Sequence, residues 1–156
     1  MMTIADMDLD PVARDAAELL LSRCPEVVFT SGRRHLDDQA RAMAQNVALS
    51  RNWIGATYKH PGPLRNVAAD HPELKTAAQL EPEMLRVLVD MEPDQLLLLT
   101  RHFAGLAFDV MPMQSSEGLF LQQQIRALPH LDEFLTREGG MVRWHVQFHA
   151  SAPVFV

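Results

Sequence analysis

A histidine and an aspartate seven residues apart, His102 and Asp109, stand on either side of Gly105 in the segment TRHFAGLAFD, Thr100 to Asp109. Imidazole nitrogen and carboxylate oxygen are both zinc ligands at about 2.0–2.2 Å, and a catalytic zinc takes three protein ligands and leaves a fourth position open. A turn at Gly105 lets the two side chains converge. An aspartate inside an apolar strand costs free energy unless something pairs with it, and a metal ion supplies that pairing. The third ligand must come from elsewhere in the chain. Near the C-terminus Val142, Trp144, Val146 and Phe148 alternate with Arg143, His145, Gln147 and His149. A strand with that period of two puts His145 and Gln147 on one polar face. His145 is therefore the expected third ligand, with His149 as its competitor.

The pattern His-x-x-Gly-x-Ala-x-Asp, met by His102, Gly105, Ala107 and Asp109 and followed much later by Trp144-His145, resembles the zinc peptidases that include the D-Ala-D-Ala carboxypeptidases, the bacteriophage L-Ala-D-Glu endolysins and the hedgehog signalling domain. At average composition its four fixed positions recur by chance in about one chain in a thousand of this length, so the match is informative by itself. A third segment, Ser31-Gly32-Arg33-Arg34 with Gln39 beyond it, is similar to the Ser-Gly-Tyr-Arg stretch that precedes a helix in the same family, with Arg33 in place of the aromatic residue. The three segments keep the family's order and span residues 31 to 148.

The resemblance implies Zn2+ held by His102, Asp109 and His145, and cleavage of peptide bonds in peptidoglycan stem peptides, with zinc polarising the scissile carbonyl and activating water. It also implies that Arg34 contacts substrate, where a guanidinium can pair with a carboxylate or an oxyanion. Ser31, Gln39 and Trp144 complete the implied substrate-binding set. One position departs from the family: the glutamate that serves as general base three residues before the second histidine is replaced by Val142. A base must come within hydrogen-bond reach of the water it activates. Glu138, seven residues before His145 across Gly139-Gly140, is the first candidate, and His149 and Asp132 or Glu133 are weaker substitutes. The alternative to a peptidase is a non-catalytic zinc-fold module of a phage virion, in the tail or baseplate. A cytoplasmic zinc dipeptidase is a third reading.

Positioning these residues calls for an α+β fold, a small antiparallel sheet with helices packed on one face and a metal groove on the other, hedgehog/D-Ala-D-Ala peptidase-like, with Asp109 and His145 on adjacent strands. Asp10 and Pro11 mark a helix start, and apolar positions at helical spacing carry that helix to near Cys24. The run Glu26 to Thr30 reads as a strand. Ala40, Met43, Ala44 and Val47 repeat at the three-and-four spacing of a helix over Leu36 to Leu49. Trp53, Ile54 and Tyr58 close a helix end onto the core or stack on a ligand. Thr57 to Pro72, with three prolines and a glycine, reads as an exposed loop. Further helices are expected at Glu81 to Asp90, with Pro82 at its start, at Glu117 to Leu128 and at Leu131 to Arg137. Strands are expected at Ala107 to Val110 and Val142 to Phe148.

The 156 residues suit a single zinc peptidase-like domain, residues 1–156. A net charge of −6 disfavours nucleic acid, whose phosphates call for a basic surface. One cysteine, Cys24, excludes an internal disulfide and a thiolate zinc cluster. The apolar stretch Leu96 to Leu99 falls far short of the roughly 20 residues a membrane span needs, so no membrane insertion is expected. The first residues lack the pattern of a signal peptide. The expectation is a protein made in the cytoplasm that acts at the cell wall after release through a membrane hole, or as part of a phage particle. Its expected partners are peptidoglycan peptides and phage virion proteins. His35, His60, His71 and His130 are expected at the surface.

Overall fold

The computed structural model describes residues 1–150. In chain order its elements are α1 (Pro11–Arg23), β1 (Phe29–Ser31), α2 (Leu36–Leu49), α3 (Trp53–Thr57), α4 (Val67–Asp70), α5 (Ala77–Asp90), α6 (Pro93–Leu99), β2 (Ala107–Val110), α7 (Ser115–Arg126), β3 (Leu131–Glu138) and β4 (Met141–Phe148). The class is α+β, with an open antiparallel sheet of strand order β1-β2-β4-β3. Among the described residues no helix is long and apolar enough to cross a membrane. Backbone contacts divide the described residues into two compact units, one of Met1–Arg33, Ala104–Arg137 and 141–150, the other of Arg34–Phe103 and Glu138–Gly140.

The first unit holds the sheet, α1 and α7. Asp10 caps α1, its carboxylate accepting from the Val12 N–H at 3.1 Å, and Pro11 takes the first helical position, where its missing N–H costs nothing. Ala13, Ala16, Ala17 and Leu20 of α1 and Leu121 and Ile125 of α7 join Phe29, Phe108, Val110, Trp144, Val146 and Phe148 of the sheet in one buried core. Phe108 packs edge-to-face against Phe29, at a centroid distance of 5.3 Å, and in a tilted arrangement against Phe148, at 5.5 Å. Because strand side chains alternate, burying Phe108, Trp144, Val146 and Phe148 under the helices turns Asp109, His145 and Gln147 to the opposite face.

The segment from Leu131 to Arg137, expected to be helical, lies instead in β3. Gly139 and Gly140, at φ +56° and +84°, reverse the chain into β4, and a two-residue turn of positive φ is what a tight hairpin requires. The His149 N–H donates to the His130 carbonyl at 2.9 Å beyond the strand ends, and Phe134 packs edge-to-face on Trp144 at 5.9 Å. Pairing with β4 outweighs the local helical tendency of the 131–137 segment, since strand choice depends on cross-strand neighbours more than on intrinsic propensity.

The second unit is helical. Ala40, Met43, Ala44 and Val47 of α2 are fully buried, as the spacing predicts, and α2 packs along α5 through Leu80, Met84 and Leu88. α5 starts four residues earlier than expected. Thr76 accepts from the Gln79 N–H at 3.2 Å while Gln79 Oε1 accepts from the Thr76 N–H at 3.1 Å, so this reciprocal cap sets the start and Pro82 falls inside the helix. The expected exposed loop at 57–72 is also corrected: it holds a 3-10 turn (Gly62–Asn66) and α4, and Leu64 and Val67 are buried. The Arg51 guanidinium organises it by donating to the carbonyls of Ala68 (2.8 Å), His71 (3.2 Å) and Leu74. Trp53 and Ile54 are buried in α3, with Tyr58 edge-on to Trp53 at 5.4 Å.

Candidate metal centre

Asp109 is paired on both sides within the sheet. Across β2 and β4 it stands directly opposite His145, and across β1 and β2 opposite Ser31. Directly opposed residues of an antiparallel ladder share a face with Cβ atoms roughly 5 Å apart, close enough for an aspartate to meet an imidazole. His145 Nδ1 lies 3.1 Å from Asp109 Oδ1, with side-chain exposures of 7% and 19%. His145 Nε2 lies 2.8 Å from Gln147 Oε1, and Gln147 Nε2 donates to Asp132 Oδ2 at 2.8 Å. Asp132 Oδ1 is 3.5 Å from Nε2 of the exposed His149. A continuous polar row therefore runs along this face of the sheet from Asp109 to His149.

His102 sits in a 3-10 turn, Arg101–Ala104, immediately before the chain enters β2. Its N–H donates to Thr100 Oγ1 at 3.2 Å, its carbonyl accepts from the Arg34 N–H at 3.2 Å, and the residue is buried. The change of direction between this turn and β2 falls at Gly105, at φ +71°. A Cβ there would come within 2.6 Å of the Arg33 guanidinium and 2.9 Å of the Asp10 nitrogen, so both the conformation and the space require glycine. The Gly105 carbonyl accepts from the Asp10 N–H at 3.0 Å and the Leu106 carbonyl from the Phe148 N–H at 2.9 Å, which fixes the path into the strand. One ligand-capable atom each of His102, Asp109 and His145 lies within 4.8 Å of the other two, a group that could hold a metal ion. The nitrogen and oxygen donors, their burial and their convergence suit a borderline divalent cation.

The remaining sequence candidates fall in several places. Arg34 Nη1 donates to Oε1 of the fully buried Gln39 at 3.2 Å, and Gln39 Nε2 donates to the Tyr58 hydroxyl at 2.9 Å, so Arg34 and Gln39 belong to one polar chain. Trp144 is in the core, on the opposite side of β4 from His145. Glu138 ends β3 at the hairpin turn, and four residues of extended strand, about 13 Å, separate Met141 from His145 beyond it. Val142 is 47% exposed. Cys24 is buried, and burial pushes its thiol above the ordinary value, which makes it a poor nucleophile.

Sequence reasoning missed two partners. Gln147 was placed on the face of His145, yet without a role, although the i, i+2 spacing on a strand already brings the two side chains together. The link from Gln147 to Asp132 depends on the β3–β4 hairpin, which a helical reading of 131–137 conceals. Neither protein-family models nor curated proteins nor solved structures gave a match to this chain.

Proposed function

We propose that the chain is a zinc metallopeptidase that cleaves peptide bonds in bacterial peptidoglycan stem peptides, serving as a bacteriophage endolysin or virion-associated lysin. The observation that carries this reading is the convergence of His102, Asp109 and His145, the three residues that the family pattern assigns to the metal, within 4.8 Å of one another. Zinc held there supplies polarisation of the scissile carbonyl and water of lowered pKa. The protein's own groups do the rest. His102, Asp109 and His145 hold the cation. Arg34, with its guanidinium oriented by the buried Gln39, binds a substrate carboxylate or the oxyanion that develops at the carbonyl. Proton transfer needs a carboxylate or imidazole within reach; the sequence's candidates are Glu138 and His149, and the position of Glu138 at the hairpin turn, about 13 Å of strand from His145, counts against it.

The test is incubation of zinc-loaded protein with isolated sacculi, followed by mass spectrometry of released fragments. New amino or carboxyl termini in the stem peptides are expected, and their loss in Glu138→Gln with zinc retained assigns the base. No release from sacculi by protein shown to carry zinc would overturn the enzyme reading. One observation favours a second reading, a non-catalytic zinc-fold module of a phage tail or baseplate: the exposed Val142 stands where the family's glutamate is expected, and valine transfers no proton.

A further inference from the structure

The polar row on the sheet has a direction. A carboxylate only accepts hydrogen bonds, so Asp132 Oδ2, at 2.8 Å, takes the amide NH2 of Gln147. The other end of the same amide, Oε1, can only accept, and it faces His145 Nε2 at 2.8 Å. His145 Nε2 is therefore the nitrogen that bears hydrogen. The second ring nitrogen, Nδ1, faces Asp109 Oδ1 at 3.1 Å. With Nε2 turned to Gln147, Nδ1 is the ring nitrogen on the side of Asp109, where a cation shared with that carboxylate would sit. A metal-ligating histidine is arranged in this way: one nitrogen donates outward and the other is left bare for the metal.

We propose that Gln147 and Asp132 are positioning residues of the metal centre, holding His145 in the tautomer and ring orientation that direct Nδ1 at the cation. The inference rests on the metal-centre reading of His102, Asp109 and His145. Asp132 sets which way the amide points, the amide sets which imidazole nitrogen is protonated, and the imidazole then offers its bare nitrogen to the ion. Strand geometry supports this order, because His145 and Gln147 are successive residues on one face of β4 and Asp132 reaches them from the neighbouring β3.

The experiment uses the full chain and zinc alone, with affinity measured by competition against a chromophoric chelator. Cobalt substitution provides the visible spectrum, and long-range 1H–15N correlation reports the His145 tautomer in the metal-free protein. Stoichiometric zinc and an Nε2–H tautomer are expected for the unaltered chain. Gln147→Met, which removes the acceptor at similar volume, is expected to weaken zinc by roughly 10- to 100-fold and to shift the cobalt bands. Asp132→Asn, a near-isosteric change on the strand surface, is expected to weaken zinc and to mix the two tautomers, and it serves should Gln147→Met fail to fold. Stoichiometric zinc in the unaltered chain combined with unchanged affinity and tautomer in Gln147→Met and Asp132→Asn overturns this proposal alone. An unaltered chain that takes up neither zinc nor cobalt overturns the metal-centre reading together with it.

Discussion

Asp109 and His145 meet at 3.1 Å because β2 and β4 pair these two residues directly across the antiparallel ladder. The contact comes from register, and a slip of one residue would turn one of the two side chains to the core face. Asp109→Asn preserves shape and removes charge, and His102→Ala and His145→Ala each remove a ligand. All three are expected to abolish stoichiometric zinc while the far-ultraviolet circular dichroism is retained. Elemental analysis of dialysed protein decides this, and full zinc retention by both histidine variants would falsify the ligand assignment.

Gly105 links the turn that carries His102 to the strand that carries Asp109. An alanine there incurs about 1–2 kcal/mol for the left-handed backbone alone. It must also displace the Arg33 guanidinium and the Asp10 backbone, at 2.6 Å and 2.9 Å from the added Cβ. Gly105→Ala is expected to lower the urea midpoint and to weaken zinc together. A variant of unchanged midpoint and unchanged zinc affinity contradicts the role given to this turn.

The hairpin between β3 and β4 contains two glycines with different surroundings. A Cβ on Gly139 would overlap Thr57 Oγ1 and the Trp53 indole, whereas one on Gly140 would meet nothing within 4 Å. Both substitutions strain the backbone, so Gly139→Ala is expected to lower the melting temperature distinctly more than Gly140→Ala. Equal shifts would mean that conformation alone, without packing, matters at this turn.

The Arg34 side chain is paired with Gln39, and only its backbone N–H meets the carbonyl of the ligand His102, so a side-chain substitution leaves that backbone bond in place. Arg34→Lys keeps the charge and loses the planar fork. Hydrogen bonds to charged groups contribute about 1.5–3 kcal/mol, so kcat/KM toward stem peptides is expected to fall roughly 10- to 100-fold with zinc content unchanged. Wild-type kinetics in this variant remove Arg34 from the substrate site.

Away from the site, the hydrogen bond from the Arg86 guanidinium holds the Glu83 carboxyl below its ordinary value of 4.5, reinforced by the Arg86 charge and by His71. A carboxyl whose folded value is depressed contributes stability above its unfolded value and loses it as pH falls through the folded one. Denaturant midpoints measured between pH 7 and pH 3 are expected to decline through this window in the unaltered chain, and less steeply in Glu83→Gln. Identical acid limbs would show that the pair has no thermodynamic weight.

Local chemistry made α1, α2, β2 and β4 legible in the sequence. Asp10-Pro11 is a start signal, the α2 spacing admits one buried stripe, and the alternation from Val142 to Phe148 admits one buried face. The same alternation placed His145 and Gln147 side by side, and the expectation of Asp109 on the adjacent strand is met by the β2–β4 register. Of the three corrections, two are tertiary and one is local. β3 exists because β4 lies beside it, the 57–72 segment is organised by Arg51 and the burial of Leu64 and Val67, and α5 begins at a cap that outweighs the proline within it. Residue types and their spacing thus determined the elements that form on local signals and the side chains able to serve as ligands. Tertiary structure decided the hairpin partner of β4, the Asp132–Gln147–His145 row and the polar chain that holds Arg34, because hydrogen bonds between residues distant in sequence depend on a register that no local signal carries.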